Sequence, residues 1–345
     1  MPADEPDGER RIMMPTVSVI MAVHNGEDHV REAVDSILAQ TLRNLELIIV
    51  DDASSDATAD VLARYDDPRV HILRNQWRLG PGAARNRALR IARAALVAIQ
   101  DADDSSLPER LQTQAEFLAT NPLVEVIGAH AATILADGSD GQIMRYPPAR
   151  DLEIKWALLF WNPFIHTSIM LRHSVLQETG AYTEEGGLAW LAEDYELLSR
   201  INRKHCAANI NQVLVRYRIN PAGASARQEH LQRLSAEVSR KNIGWLLGGE
   251  AADVKTVQAL RRFWFEGKPL SPVDAQRALA GNEVLHQAFL AQYAQGGSRR
   301  FPRARFCLAC ARRVFSQAWR NPHLERSCRA AMLRSTMALA SKAIA

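Results

Sequence analysis

The sequence lacks the features that would place it in a membrane or in a disulfide-stabilised class. No apolar run approaches the roughly 18–20 residues that a membrane-spanning helix needs. Four cysteines in 345 residues do not make a disulfide framework. The first 15 residues are acidic and proline-rich, which argues against a secretory signal. Because 47% of the residues are hydrophobic and 23% are charged, we expect a globular protein. The small number of cysteines and the missing signal lead us to expect it in the reducing cytoplasm.

Two common nucleotide-binding motifs are also absent. The sequence contains no Walker A motif, and no Gly-x-Gly-x-x-Gly follows the first predicted strand. Gly80-Pro81-Gly82 comes after the third predicted strand and lacks a third glycine. The sequence therefore does not support a P-loop enzyme or a Rossmann dinucleotide-binding enzyme.

The charge is divided unevenly along the chain. The net charge is +3, yet residues 299–345 carry eleven Lys or Arg against the single Glu325, which leaves −7 for the rest. A basic tail with aromatic residues among its arginines suits an anionic membrane surface. The alternatives are a partner protein, a nucleic acid, or a helix packed on the acidic body. We favour the inner face of the plasma membrane and disfavour nucleic acid.

Three cysteines and one histidine near the C-terminus have a spacing close to that of zinc fingers. Cys307, Cys310, His323 and Cys328 read Cys-x2-Cys-x12-His-x4-Cys. Cys307 and Cys310 lie in a helix-like run without the turn residues of a zinc knuckle. We therefore favour buried cysteines on a helix face over a zinc site.

Strand and helix patterns alternate along the first 130 residues. Short apolar runs predict strands at 17–23, 45–50, 70–73, 96–99 and 124–127, with helices at 30–38, 56–64, 82–94 and 108–120 between them. This order predicts an α/β fold with a mostly parallel sheet and flanking helices. In such sheets, ligands bind beyond the carboxyl ends of the strands.

The pattern changes after residue 128. We predict strands at 166–171 and 213–219, a helix at 194–203, and only helices from about 227. These patterns divide the chain into a flexible N-terminus (1–15), a catalytic domain (16–225) and a helical C-terminal region (226–345).

Acidic clusters follow two of the predicted strands. Asp52 belongs to the first cluster, and Asp101, Asp103 and Asp104 form the second. Asp56 and Asp104 suit the role of helix caps, but capping needs only one carboxylate per helix. Because adjacent carboxylates repel one another, the excess favours a Mg²⁺ or Mn²⁺ ion whose shell phosphate completes.

Five segments together resemble the family 2 glycosyltransferases, which have the GT-A fold. They are VSVIMAVHNGEDHVREAVDSILAQT, LELIIVDDASSDAT, NQWRLGPGAARNRAL, IQDADDSSLPERL and AEDYELLSRI, in family order over about 220 residues. The resemblance implies an inverting, metal-dependent transfer of a sugar from a nucleotide-diphospho sugar, expected to be UDP-linked. The implied acceptor is a glycan or a lipid-linked sugar in bacterial surface polysaccharide synthesis. The C-terminal third resembles nothing that we can assign.

The resemblance also implies roles for residues on the donor side. Asp52, with His24 and Asn25 near it, would hold the nucleobase and ribose. Asp101 would lie towards the ribose, and Asp103 would bind Mn²⁺ or Mg²⁺. From the residues alone, His24 is equally a filler, and Asn25 a helix cap or turn residue.

On the acceptor side, Asp194 in the pair Glu193-Asp194 matches the catalytic base of the family. Both acids also suit the first turn of a helix. Arg85 is either a contact of the diphosphate or sugar, or a surface helix charge. His166 would line the acceptor pocket or be structural, and Trp190 would offer a platform to a sugar ring or simply pack.

The chain departs from the family pattern at two places. Ala22-Val23-His24-Asn25 stands where relatives often have Pro-Val-Tyr-Asn, and a histidine ring can still stack on a base. Tyr217-Arg218-Ile219-Asn220 stands where many relatives have Tyr-Arg-x-His. Because asparagine is a poorer ligand, we expect either fewer protein ligands to the metal or another group in its place.

Two other functions are compatible with this sequence. A nucleotidyltransferase would share the nucleotide-binding sheet but would not need the pair Glu193-Asp194. A non-catalytic scaffold that binds nucleotide sugars would share the fold, but the presence of Asp101, Asp103 and Asp194 counts against it.

Overall fold

A computed structural model describes residues 14–135, 138–144, 149–219, 228–249, 252–266, 270–293 and 326–341, with Cys307, Cys310–Arg312 and Val314. The first 13 residues, the predicted boundary near residue 225 and much of the basic tail therefore lie outside the described residues. Within the described part of the chain, no helix is both long and apolar enough to cross a membrane.

The described chain alternates strands and helices up to residue 218 and is helical after it. The strands are β1 Val17–Val23, β2 Leu45–Asp51, β3 Val70–Arg74, β4 Leu96–Asp101, β5 Ser105–Ser106, β6 Val126–Ile134, β7 Asp140–Met144, β8 Met170–Arg172 and β9 Ala207–Arg218. The helices are α1 Val30–Leu38, α2 Thr58–Leu62, α3 Pro81–Leu89, α4 Arg110–Thr120, α5 Asp151–Ala157, α6 His173–Thr179, α7 Leu188–Leu191, α8 Glu193–Asn202, α9 Gln228–Leu246, α10 Val254–Arg261, α11 Pro272–Tyr293 and α12 Arg326–Ser341.

All nine strands belong to one sheet, in the order β3-β2-β1-β4-β8-β6-β9-β5, with β7 paired to β6. The half containing β3, β2, β1 and β4 is parallel, as the alternating pattern predicts. In the other half, β8 runs antiparallel to β4 and β6, so the complete sheet is mixed. Val23 is in register with Asp51, and Ala22 with Asp101. Both acidic clusters therefore lie at one edge of the sheet.

The strand residues alternate between two buried faces, as the period of two in a strand requires. Ile20, Ile48 and Ile99 pack on the face that α3 covers. Their neighbours Val19 and Leu47 pack on the opposite face, with residues of α1. Because both faces are covered, the central strands are mostly apolar, and the acidic residues Asp51 and Asp101 stand at strand ends.

Two segments differ from the prediction for reasons that are local. The predicted strand at 166–171 is a 3-10 turn at His166–Ser168 followed by the short β8, because Ser168 N donates to Ile165 O. Helix α3 ends at Leu89 instead of near residue 94. The amide of Arg93 donates to Glu46 on β2, and that of Ala94 donates to Ser18 on β1, so this segment binds the sheet instead of continuing the helix.

The C-terminal helices pack on α5 and the residues after it through a cluster of aromatic side chains. Phe160 is fully buried, and its ring stacks on Trp264 with centroids 5.8 Å apart. Cys307 and Cys310 are buried in the same cluster, in helical backbone, which agrees with the interpretation of these cysteines as core residues. His323 and the side chain of Cys328 lie outside the described residues.

We predict that Phe160→Ala lowers the free energy of unfolding by about 3–5 kcal/mol, because it empties the centre of this cluster. Urea denaturation followed by circular dichroism measures the change. Phe265→Ala is the matched control, since Phe265 stacks on Trp161 but is 50% exposed, and we expect a much smaller loss. Similar losses in both variants would contradict a core shared by α5 and the C-terminal helices.

Candidate active site

The loops that follow β1 and β2 are joined by hydrogen bonds between backbone and side chains. Asn25 N donates to Ser54 Oγ over 2.9 Å, and Ser55 N donates to Asn25 Oδ1 over 2.9 Å. Asn25 has a φ of 53°, a left-handed conformation that asparagine tolerates. Asn25 is therefore a turn residue, and its interpretation as a helix cap is wrong because α1 begins only at Val30.

His24 is tied to the second of these loops. Its Nδ1 lies 2.9 Å from the carbonyl oxygen of Asp52. A carbonyl oxygen only accepts hydrogen bonds, so Nδ1 carries the proton. In the neutral ring, Nε2 is then an acceptor at the edge of the sheet.

The carboxylate of Asp52 anchors the loop that leads into α3. Its Oδ1 accepts from Asn75 Nδ2 over 2.7 Å and from Leu79 N over 2.9 Å, and its Oδ2 accepts from Gly80 N over 2.8 Å. Because a carboxylate has about four acceptor positions, Asp52 keeps capacity for one further donor. The orientation of α3 therefore depends on Asp52.

Trp190 lies against the start of α3. Gly80 has a φ of 95°, and a Cβ atom there would lie 3.2 Å from Cε2 of the indole, so only glycine fits without strain. Trp190 is 39% exposed, and the Arg78 guanidinium lies 5.2 Å from its ring centroid. The side chain thus packs in part and presents the rest of its surface to solvent.

Arg85 on α3 joins two carboxylates that are far apart in the sequence. Its Nη1 donates to Glu193 over 2.8 Å, and its Nη2 donates to Asp101 over 2.7 Å. The side chain is only 8% exposed, so the interpretation of Arg85 as a surface helix charge is wrong. Through Arg85, the end of β4 and the start of α8 are held together.

His166 occupies the second oxygen of Asp101. Its Nδ1 lies 3.2 Å from Asp101 Oδ2, and its Nε2 lies 3.0 Å from the Tyr182 hydroxyl. An ionised carboxylate only accepts, so Nδ1 carries a proton, and the Tyr182 hydroxyl is the hydrogen-bond partner of Nε2. No sequence motif marks Tyr182 as a partner of His166, because Tyr182 lies in a segment without regular secondary structure.

The pKa values of the two carboxyl groups that Arg85 joins are shifted in opposite directions. Burial alone would raise the pKa of Asp101, but the charges of His166 and Arg85 outweigh it and hold this pKa well below its usual value. Burial raises the pKa of Glu193, and the neighbouring Asp194 adds to the rise, while Arg85 opposes it.

Asp194 is the second residue of α8 and has a more open environment than Glu193. Its Oδ2 accepts from Asn162 Nδ2 over 2.8 Å, and its Oδ1 accepts from Tyr195 N over 2.7 Å. Asp194 lies in the first turn of α8, beside the positive end of the helix dipole. Asn162, like Tyr182, lies in a segment that carries no recognisable motif.

The last two acids of the second cluster are connected to the end of β9. Asp104 Oδ1 accepts from Arg218 N over 2.7 Å, so it does not cap α4 as its position before Pro108 suggests. The main-chain oxygen of Asp103 accepts from Arg218 Nε over 3.0 Å. Burial, followed by the charge of Asp101, raises the pKa of Asp103. No described residue forms an ion pair with the Asp103 carboxylate, so its charge is left without a direct partner.

A divalent cation fits at Asp103 only if the substrate supplies further ligands. Among the described residues, no group of three or more His, Cys, Asp or Glu side chains converges in a way that would hold a metal ion. An unpaired carboxylate is nevertheless the hard oxygen ligand that Mg²⁺ and Mn²⁺ prefer, and these ions often bind through one or two carboxylates plus substrate phosphates. The residues present therefore fit a metal that arrives with a diphosphate.

We predict that Arg85→Gln destabilises the protein by about 3–5 kcal/mol at pH 8, because it removes the cation from the buried Glu193 and from one oxygen of the partly buried Asp101. Without Arg85, the pKa values of Asp101 and Glu193 both rise. At a pH above its raised pKa, a buried carboxyl group is ionised and lowers the free energy of unfolding. This loss becomes smaller at lower pH, where the carboxyl group takes up a proton. The loss should therefore be smaller at pH 5.

Urea denaturation at the two pH values measures this difference. Arg90→Gln is the matched control, because Arg90 follows α3 and its side chain is 66% exposed. We expect little change in that variant at either pH. An equal loss at both pH values in Arg85→Gln would mean that Arg85 contributes by packing and not by charge.

Comparison with known proteins extends this picture to the family. The family described as "Glycosyl transferase family 2" matches residues 18–180. An "Uncharacterized glycosyltransferase" of Haemophilus influenzae is 30% identical over 257 residues, which cover 71% of this chain and 79% of that protein. The Escherichia coli "UDP-Glc:alpha-D-GlcNAc-diphosphoundecaprenol beta-1,3-glucosyltransferase WfaP" is 30% identical over 216 residues, which cover 62% of this chain and 82% of that protein.

Two solved structures have a similar fold. S. aureus TarS 1–349 in complex with UDP-GlcNAc superposes with a TM-score of 0.57 at 18% identity, covering 94% of this chain and 90% of that chain. The mannosyltransferase PcManGT from Pyrobaculum calidifontis, in complex with GDP-Man and Mn²⁺, gives a TM-score of 0.51 at 21% identity, covering 96% and 88%. The predicted GT-A fold with a helical C-terminal region is confirmed. The chain therefore belongs to glycosyltransferase family 2 and is a glycosyltransferase.

Proposed function

We propose that this glycosyltransferase is an inverting, metal-dependent enzyme. The observation that carries the proposal is the bridge made by Arg85, which joins Asp101, two residues before Asp103, to Glu193, the neighbour of Asp194. A direct displacement needs charge stabilisation on the leaving side of the sugar and a base on the other side. The bridge keeps the acids proposed for these two tasks in one cluster.

The donor that we propose is a UDP-linked sugar. The name of WfaP includes UDP-Glc, and the TarS structure contains UDP-GlcNAc, whereas PcManGT was solved with GDP-Man. We assign the nucleobase and ribose to His24, Asn25 and Asp52 at the ends of β1 and β2. His24 offers a ring face for stacking and Nε2 for a hydrogen bond, and Asp52 keeps one acceptor position.

We assign the metal to Asp103 and place Asp101 towards the ribose. When bound, a Mn²⁺ or Mg²⁺ ion would neutralise the charge that develops on the leaving nucleoside diphosphate. The contribution of the chain is to keep the Asp103 carboxylate accessible and out of an ion pair with the described basic side chains. Because both oxygens of Asp101 already contact Arg85 and His166, we assign Asp101 the smaller role of holding the loop in place.

Asp194 is the base in this proposal. Its carboxylate takes the proton of the acceptor hydroxyl, whose oxygen then bonds to C1 of the sugar. The bond between C1 and the phosphate oxygen breaks on the opposite side, and its electron pair leaves with the diphosphate, so the anomeric configuration inverts. Asn162 holds one carboxylate oxygen of Asp194 in position, and Arg85 holds Glu193 beside it.

For the acceptor, we propose a glycan or a lipid-linked sugar in bacterial surface polysaccharide synthesis. The name of WfaP specifies a diphosphoundecaprenol-linked acceptor, and ExoO of Rhizobium meliloti, 38% identical over 103 residues, is named a succinoglycan biosynthesis protein. The exposed part of Trp190, three residues before Glu193, offers an apolar surface to a sugar ring. His166 would contribute indirectly, because its ring nitrogens are bonded to Asp101 and Tyr182.

We predict that Asp194→Asn lowers kcat by about 10²–10⁴-fold, the usual range for the loss of a general base. Donor binding, measured by calorimetry with Mn²⁺ and UDP, should be unchanged. Asp60→Asn is the control, since Asp60 is an exposed residue of α2, and it should retain full activity.

The alternatives give different results in the same experiment. A nucleotidyltransferase would keep its activity in Asp194→Asn, because its reaction does not use that acid. A non-catalytic scaffold would bind the donor but show no sugar transfer or hydrolysis in the wild-type protein. Either outcome would contradict the proposed function.

We also propose that the basic tail contacts an anionic lipid surface. Among its described residues, Cys307, Val314 and Met332 are buried in the C-terminal cluster, so part of the tail packs on the body. Leu333 and Met337, one helical turn apart on α12, are 41% and 64% exposed. An apolar pair of this kind beside arginines suits the interface of a membrane.

We predict that Arg312→Glu combined with Arg334→Glu reduces sedimentation with vesicles containing phosphatidylglycerol. Both arginines are exposed, so the variant removes positive charge without disturbing the buried residues that a tail deletion would remove. Vesicles of phosphatidylcholine alone are the control, and neither protein should bind them strongly. Equal sedimentation of wild type and variant would refute the membrane contact.

A further inference from the structure

A single glutamate on α1 pairs with two arginines at the end of β9. Arg218 Nη2 lies 2.5 Å from Glu32 Oε2, and Arg216 Nη1 lies 3.6 Å from Glu32 Oε1. The arginines are two residues apart on a strand, so their side chains leave the same face. Glu32 therefore links α1 to the C-terminal end of β9, which lies beside the acidic cluster.

The rest of Arg218 contacts the acidic loop through main-chain atoms and through Asp104. Its Nε donates to the carbonyl oxygen of Asp103, and its backbone amide donates to Asp104 Oδ1. The guanidinium thus lies beside Asp103 without forming an ion pair with the Asp103 carboxylate. Its charge is near enough to oppose the rise in the pKa of Asp103 that burial and Asp101 cause.

Arg218 contacts the main chain of Asp103 and the side chain of Glu32, but forms no ion pair with the Asp103 carboxylate. A guanidinium and a carboxylate within reach usually form a short, charge-assisted pair, often with two hydrogen bonds. Arg218 instead uses its outer nitrogen for Glu32. Since the Arg218 side chain is only 13% exposed, water screens its charge little, and the anion that pairs with its outer nitrogen is Glu32.

We infer that Glu32 is a positioning residue that keeps Arg218 away from the Asp103 carboxylate. The inference rests on the proposed role of Asp103 as the metal ligand. While Glu32 holds the guanidinium, Asp103 remains available to a divalent cation. Without that negative charge, Arg218 can turn to Asp103, and the cation must then displace an arginine before it binds.

Mn²⁺ binding to the full chain tests this inference without relying on turnover. The free Mn²⁺ signal in electron paramagnetic resonance gives the affinity, for Mn²⁺ alone and for Mn²⁺ with saturating UDP. We expect Glu32→Gln to weaken Mn²⁺ binding about three- to tenfold, the range of coupling found for residues in one ion-pair network. Arg216→Gln is the matched control, because it removes the other partner of Glu32 and leaves the Arg218 pair intact.

The double variant separates this mechanism from a simple loss of nearby negative charge. In the Arg218→Gln background the competing guanidinium is absent, so Glu32→Gln should have no further effect on the Mn²⁺ affinity. A loss of the same size in that background would mean that Glu32 attracts the cation through space, which would overturn the inference. Wild-type affinity in Glu32→Gln alone would overturn it as well.

Asp103→Asn keeps this inference distinct from the proposed function. If Mn²⁺ binding is unchanged in Asp103→Asn, the metal assignment itself fails. If Asp103→Asn abolishes binding while Glu32→Gln has no effect, only the positioning role fails. Thermal unfolding of each variant checks that the fold is retained, which we expect because Glu32 is 43% exposed.

Discussion

The paired contacts of Arg85 join two carboxylates that lie far apart in the sequence, at the ends of elements that also share one hydrophobic core. Asp101 ends the central strand β4, and Glu193 begins α8, directly after the short helix α7. Two carboxylates in a buried setting repel one another, and a guanidinium between them turns this repulsion into two charge-assisted hydrogen bonds. Asp52, directly after β2, holds the start of α3. Arg85 extends from the same helix to the end of β4 and to the start of α8, so one short helix connects all three places. The relative position of the proposed donor and acceptor residues depends on that helix.

Much of this architecture can be predicted from the sequence because it follows from local pattern. Buried parallel strands are continuous apolar runs, and polar residues directly after them must lie at one edge of the sheet, which is where Asp52 and Asp101 are found. The 3-10 turn at His166 could not be predicted in this way. The segment has the apolar composition of a strand, but its backbone turns so that His166 and Thr167 both form hydrogen bonds with Asp101. Contacts between residues this far apart in the chain produce no periodic pattern in the sequence.

The partners of the proposed site residues were the least predictable part of the structure. Three side chains form a hydrogen bond or an ion pair with a residue distant in the sequence: Tyr182, Asn162 and Glu32. At each of these positions the residue type is also common for local reasons, so the sequence does not reveal the distant contact. A glutamate in the first turn of a helix, for example, is favourable for the dipole alone. Arg85 had two interpretations of similar weight for the same reason, and burial decided between them. A guanidinium that loses its water needs hydrogen-bond acceptors in the protein, and α3 brings Arg85 to two carboxylates.

The carboxylates of the site differ in how fully the fold occupies them, and this difference separates structural acids from those available for chemistry. Asp52 accepts three hydrogen bonds from one loop, and Asp101 has a basic side chain on each oxygen. Such groups hold a fixed orientation and have little capacity left for a ligand. Asp103 has no ion pair with the described residues, and Asp194 has a single side-chain donor, Asn162. A carboxylate that must bind a cation or take a proton needs acceptor capacity that the protein has not used. The surrounding contacts therefore act in two ways. They occupy the acceptor positions of Asp52 and Asp101, and they direct Arg218 to Glu32 and to the main-chain oxygen of Asp103 instead of to the Asp103 carboxylate.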